Sequence, residues 1–470
     1  MLLHSWSFFL GFLVFLLLYH SLRRAPQNLL LLLGSYLFVA AFDWRFLGML
    51  WAYTLVNYLG ARLIGRASGR ARRGWLLATL CLDAGGLAVF KYYDFFMTSA
   101  AQLLGTLGLA AHPHTLGLLL PLGISFYTFM SIGYCVDVYL GKIKAEGNLL
   151  HMALFLGYFP LITAGPIERA GRLLSQFKSH RLVDAKTVLS GGFLFLMGLV
   201  RKVAIADTLV ARVDKAFAHP GDLGSFELAV SLFMYFLVLY CDFSGYTDMA
   251  RGISRLLGIE LSHNFQQPYF SVNIADFWRR WHMSLSYWLR DYIYIPLGGS
   301  RVPMLSIFRN YMITMLLCGL WHGPSWTYVC WGGLQGLALS VLRLWRPLGR
   351  RLSPPAWLRP MSTTLAWLLT MLVTALGWII FRAPDMGVAA SYVQGLAALR
   401  GGVELGLLKL PALATALFLL LELPQFRSGR HTAILSWPRP LAAAAIVAFL
   451  LIAALAPSPA EQKAFVYLQF

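Results

Sequence analysis

The stretch SIFRNYMITMLLCGLWHGPSWTYVCWGGLQGLALSVL, Ser306–Leu342, decides the fold. Two long apolar runs, Ser306–Trp321 and Trp326–Leu342, are separated by His322, Gly323, Pro324 and Ser325 alone. Each run approaches the roughly 20 apolar residues that cover the hydrocarbon core of a bilayer, and fewer suffice when the ends are anchored. The pair reads as two membrane helices joined at a tight corner.

Composition extends that reading to the whole chain. The 470 residues are 58% hydrophobic and 13% charged, against roughly 45–50% apolar and roughly 25% charged in a soluble domain. Water is the wrong solvent for such a chain, and the same figures exclude disorder and fibrous repeats. The fold class is an all-α polytopic membrane protein. Ten further spans are expected near Trp6–Tyr19, Asn28–Phe42, Phe46–Ala61, Trp75–Tyr92, Leu116–Leu140, Val188–Leu209, Glu227–Ala250, Thr363–Phe381, Leu410–Leu423 and Leu441–Ala456. The first has the length of a signal peptide but neither a preceding basic residue nor a small-residue cleavage site, and it is read as a span. With no internal repeat or low-complexity linker, residues 1–470 are read as one membrane domain, with a motif-bearing core at about 116–345 and a tail at 457–470.

The net charge of +19 follows from the gathering of Lys and Arg in cytoplasmic loops and does not require nucleic acid. Basic clusters at Arg23/Arg24, Arg62–Arg73 and Lys142/Lys144 each follow an odd-numbered span. This places the N-terminus outside, and with twelve crossings the C-terminus outside as well. The five cysteines form no CxxC pair and lie in apolar segments, so neither a disulfide framework nor a metal site is indicated. Two stretches are not simple spans. His151–Gly165 is short, apolar and flanked by basic residues on both sides, as a re-entrant segment would be. His263–Arg301 carries Asn264, Asn273, Asp276, Arg279, Arg280, His282, Arg290 and Asp291 among many aromatics, which suits backbone lining a cavity within the protein.

Polar groups in membrane segments are costly and are the default functional candidates. His322 heads that group. A sixteen-residue span rises only about 24 Å, so His322 should end inside the membrane region, with Gly319 and Gly323 leaving room for a substrate to approach the backbone. A buried histidine satisfied by a carbonyl at the corner is the plainer alternative. His282 lies in DFWRRWHMSLSYWLRD. Helical spacing places Trp278, His282 and Leu285 on one face, and flanking arginines should hold the imidazole neutral. Those arginines, Arg279 and Arg280 with Trp281, suit a phosphate-bearing donor; an interfacial helix meeting anionic lipid is the alternative. Asp242 and Asp248 stand as a carboxylate pair in an apolar segment, able either to relay protons, as in a transporter, or to pair with arginines in the cavity wall. Asn264 and Trp321 complete the pore-lining candidates. Cys330, on the helix returning from His322, could imitate a Cys–His nucleophile but more often a free cysteine is a small hydrophobe.

Five strings, taken in order, resemble the membrane-bound O-acyltransferase family (MBOAT), and most of all its bacterial branch acting in alginate, cellulose and peptidoglycan O-acetylation. They are PLGISFYTF (Pro121–Phe129), FPLITAGPIER (Phe159–Arg169), YCDFSGYTDMARG (Tyr240–Gly252), FWRRWHMSLSYWLRDYIYIPLGG (Phe277–Gly299) and GLWHGPSWTYVCWGGLQG (Gly319–Gly336). The resemblance implies a ring of roughly twelve tilted helices and re-entrant segments around a pore in the bacterial inner membrane. It implies His322 as the invariant family histidine and His282 as the second. It further implies acetyl-CoA as a cytoplasmic co-substrate with no bound cofactor, an exported polysaccharide as acceptor, and a periplasmic SGNH-type acetyltransferase as partner. A non-catalytic scaffold for such a transferase is a third reading beside enzyme and transporter. Finally, Phe465–Phe470 is similar to the FxYxxF ending of the small peptide that serves the D-alanylation member of the family. That likeness implies Tyr467 as an acyl relay, although Ala460 replaces a further Phe of the longer motif; an aromatic interfacial anchor is the alternative.

Overall fold

A computed structural model describes residues 3–109, 112–351 and 355–456. Backbone amides in lipid must find partners within their own segment, which leaves helices as the natural outcome for these apolar runs. The described residues are helices and connecting turns, with no strand among them. Six helices are long and apolar enough to cross a bilayer by length and composition: Gly69–Thr106, Ala185–Ala218, Ser225–Leu256, Met304–His322, Ala356–Arg382 and Leu405–Ser428. Two shorter apolar helices, Trp6–Ser21 and Arg439–Leu455, accompany them. The other four expected spans coincide with helices that are shorter or more polar.

By its internal packing the chain divides into two compact units. The first comprises the chain up to Gly191 together with Ile253–Ser262. Its expected span Leu116–Leu140 is shorter than anticipated, because the helix starts only at Ile124 and ends at Tyr139. Residues 115–120 are not helical; the Asp94 carboxylate accepts from the amides of Leu116 at 2.7 Å and Gly117 at 3.0 Å. The chain turns into the helix through Gly123 at φ +73°. A Cβ there would stand 2.0 Å from the Ile162 carbonyl oxygen, so only glycine fits. The expected re-entrant stretch His151–Gly165 is covered by two short, largely buried helices, Leu149–Gly157 and Phe159–Ile162; at 1.5 Å per residue neither crosses a bilayer by itself. Just beyond them the buried carboxylate of Glu168 accepts from the Ser262 amide and, at 3.1 Å, from its hydroxyl. This ties down the last residue of the unit.

The second unit comprises Gly192–Gly252 and the chain from His263 onward. Its helical hairpin Met304–His322 and Trp326–Arg351 is the motif from which the fold was read. The two helices pack at backbone distance. A Cβ on Gly332 would lie 2.2 Å from the Met315 carbonyl oxygen, and one on Gly319 only 2.1 Å from that of Tyr328. All residues of the candidate site that the structure describes belong to this unit.

Candidate active site

His322 is the last residue of its helix, whose 19 residues rise about 28 Å. Its side chain is buried in an aromatic setting: ring centroids of Trp321, Trp331 and Phe381 lie at 5.0, 5.1 and 5.1 Å, and that of Tyr328 at 6.4 Å. The flanking glycines serve a purpose other than the one expected. The space beside Gly319 is filled by the Tyr328 carbonyl, and a Cβ on Gly323 would meet the Tyr328 ring at 2.4 Å. They let the return helix close against the histidine's own turn; the room is taken by protein. Cys330 is exposed, while His322 is buried.

The helix expected to run through His282 is broken there. Ile274–Arg280 ends at Trp281, and Met283–Leu289 begins afterwards. His282 sits at the break in the left-handed region, φ +40° and ψ +56°, so Trp278, His282 and Leu285 do not share a continuous helical face. A non-glycine residue there is strained and is held by its surroundings. Asn264 supplies the hold: its carbonyl accepts from the Met283 amide at 2.9 Å, and its side-chain Oδ1 accepts from the Ser284 amide at 3.3 Å and the Ser284 hydroxyl at 2.6 Å. The imidazole is fully buried, with Phe243 at 4.8 Å and Trp321 at 5.8 Å between centroids.

His282 lies outside the membrane-spanning helices, and burial pushes its pKa down to about 3. The imidazole is therefore neutral, as anticipated, but by desolvation and not by the arginines. Arg279 and Arg290 are exposed, Arg280 pairs with Asp276 at 3.0 Å, and Arg290 with Asp291 at 2.8 Å. Trp281 is buried instead, stacked on Phe277 at 5.6 Å and 5.0 Å from Trp378.

Asp242 and Asp248 are both locked to cations. Lys202 binds Asp242 and Asp207, each at 2.8 Å. Asp248 binds Arg201, and Arg251 at 2.9 Å, while Arg201 also donates to Glu422 at 2.6 Å. Tyr240 donates to the second Glu422 oxygen at 2.9 Å. All seven charged groups are buried or nearly so. Arg201 and Lys202 open a π-helical turn, Arg201–Ala206, that puts two consecutive cations in the interior. Arg201, Lys202 and Glu422 were not singled out from the sequence, although each is an ionisable residue in an apolar run, the signal that marked the two aspartates. Among the described residues no group of three or more His, Cys, Asp or Glu could hold a metal ion. Tyr467 lies outside the described residues.

Two buried histidines, one at the end of a membrane helix and one at a strained break in a polar segment, thus share the Trp321 indole as a neighbour. Comparison with known proteins gives the class. The model of the MBOAT, membrane-bound O-acyltransferase family, matches residues 143–379. The chain is 43% identical to a probable alginate O-acetylase AlgI of Pseudomonas aeruginosa over 80% of its own length and 71% of the relative's. It is 35% identical to a peptidoglycan O-acetyltransferase of Helicobacter pylori over 84% and 77%, and 30% identical to a teichoic acid D-alanyltransferase of Streptococcus thermophilus over 48% and 57%. The chain belongs to the membrane-bound O-acyltransferase family and is a multi-pass membrane enzyme.

Proposed function

We propose that this enzyme moves an acetyl group from cytoplasmic acetyl-CoA toward the hydroxyls of an exported polysaccharide, with His322 as general base. The observation that carries the reading is the convergence of His282 and His322 on one indole, Trp321. In the reaction the acceptor oxygen attacks the thioester carbonyl carbon and the C–S bond breaks. The hydroxyl proton passes to His322 and then to the departing thiolate, a role worth typically 10²–10⁴-fold. Neutral His282 donates a hydrogen bond to the developing oxyanion or positions the donor. The names of the alginate and peptidoglycan relatives support a polysaccharide acceptor; in this reading the enzyme resides in the bacterial inner membrane with both termini outside, and a periplasmic SGNH-type acetyltransferase completes delivery.

Tyr467 would serve as the relay. A phenol with a pKa near 10 needs a base to become a nucleophile, and His322 would provide it; the resulting aryl ester keeps much of the thioester's transfer potential. The test is to supply labelled acetyl-CoA to the reconstituted enzyme. Label on the C-terminal peptide, absent in His322→Ala and in Tyr467→Phe, supports relay through Tyr467. Full polymer acetylation by Tyr467→Phe leaves direct transfer, and full acetylation by folded His322→Ala leaves only the scaffold. The transporter reading loses its support, since Asp242 and Asp248 are each bound to a buried cation and have structural partners already.

A further inference from the structure

We infer that Asn264 is a positioning residue for His282: it caps, from a separate segment, the helix that begins at Met283, and so holds His282 in its left-handed conformation. This inference rests on the acyl-transfer reading for its kinetic test only. In an uninterrupted helix the amides of Met283 and Ser284 would bond to the carbonyls of Arg279 and Arg280. Here the Arg280 carbonyl accepts instead from the Gln266 amide at 2.9 Å, and the Met283 amide turns to the Asn264 carbonyl at 2.9 Å. The Ser284 amide, which a helix N-cap side chain would ordinarily serve, turns to Asn264 Oδ1 at 3.3 Å.

His282 occupies the N-cap position of that helix but makes no capping bond with its side chain. Asn264 does the capping in its place. The imidazole is thereby left to face Phe243 and Trp321 and need not fold back on its own backbone. The residue pair Asn264 and Gln266 thus holds the chain on both sides of the break, at residues 283–284 and at 280. The orientation of the amide is fixed by chemistry, because the Ser284 N–H can only donate and therefore requires the oxygen of Asn264 to face it. Asn264 is itself buried, so water does not compete for these bonds.

The test compares Asn264→Leu, which keeps the volume and the backbone carbonyl but removes the side-chain acceptor for Ser284, with Asn264→Asp, which keeps a side-chain acceptor of the same shape, in the full-length reconstituted enzyme. Asn264→Leu should lower kcat about a hundredfold, the cost of misplacing a reacting group by roughly 1 Å, with KM for acetyl-CoA unchanged; Asn264→Asp should recover most of kcat. Independently of activity, diethyl pyrocarbonate should modify His282 faster in Asn264→Leu than in the wild type or Asn264→Asp, as read by peptide mass spectrometry. Should Asn264→Leu not fold, Ser284→Ala removes one of the same bonds and should shift both readouts in the same direction to a smaller extent. Wild-type kcat with unchanged His282 labelling in Asn264→Leu overturns the inference, and so does equal impairment in Asn264→Asp. Failure of the wild type to use acetyl-CoA would count against the donor assignment alone, since the labelling comparison still decides the role of Asn264.

Discussion

His282 and His322 share one neighbour: the Trp321 indole lies 5.8 Å from the first imidazole and 5.0 Å from the second, centroid to centroid. Because one side chain touches both rings, their relative placement depends on it. Trp321→Leu should lower kcat about a hundredfold, as expected when catalytic groups are displaced by roughly 1 Å, while the donor KM stays close to wild type. Steady-state kinetics of the reconstituted enzyme decide this. A variant whose loss lies wholly in KM would mean that Trp321 contacts the donor and does not position the histidines.

The hairpin that carries His322 has no slack at Gly319. A methyl group there would have to displace the Tyr328 carbonyl from 2.1 Å, and backbone cannot rotate away as a side chain could. Gly319→Ala should therefore destabilise the protein by about 1–3 kcal/mol, the usual cost of overpacking, and reduce transfer together with it. Gly333→Ala on the facing helix is the control, since its Cβ would meet only a Leu316 methyl at 3.7 Å. Equal melting temperatures for the two variants would refute the close-packing argument.

Arg201 is the hub of the buried charges, bound to Asp248 and, at 2.6 Å, to Glu422. Removing one partner of such a pair strands the others without compensation, at about 3–5 kcal/mol. Arg201→Met should accordingly lower the thermal midpoint in detergent far more than the exposed substitution Arg279→Met. If its midpoint matches the wild type, the network is not structural and a role in substrate handling would have to be reconsidered.

Glu168 gives a pH prediction. Burial raises its pKa above 4.5, outweighing the bonds from Ser262 and the nearby Arg172. Above 4.5 an unfolded Glu168 loses its proton while the folded one retains it, so the folded state binds more protons and stability falls as pH rises from 4.5 to the folded value. Below that window the contribution is fully present. Glu168→Gln keeps an oxygen for the Ser262 amide and cannot ionise, so its advantage over the wild type should grow as pH rises through the window. Parallel midpoint curves across that range would contradict it.

Much of this was legible in the sequence, for identifiable reasons. The hairpin at Ser306–Leu342 follows from two apolar runs and a Gly-Pro corner, and His322 ends the first helix because Gly323, the residue before Pro324, is extended. The sequence places the site candidate His282 within one helix, whereas the structure breaks the helix there. Its 3.6-residue pattern says nothing of a left-handed residue whose cap comes from Asn264 in another segment. Likewise the sequence exposes Asp242 and Asp248 as anomalies in apolar surroundings, but their partners Lys202 and Arg201 come from another helix, and Glu422 from a third. The glycines at 319 and 323 were visible, and their use was not: a missing side chain leaves no mark of whether ligand or protein fills the gap.

The separation of Arg201 from Glu422, 221 residues, sets a problem of timing. At roughly 5–20 residues per second a ribosome needs about 10–40 s to reach Glu422 after Arg201 has been made. During that interval Arg201 and Lys202 have only the earlier part of their network, because Asp207, Asp242 and Asp248 are made first and Glu422 last. A nascent chain that ends before Glu422 therefore has Arg201 paired with Asp248 alone, and lacks one of the two carboxylates that hold this arginine in the finished protein.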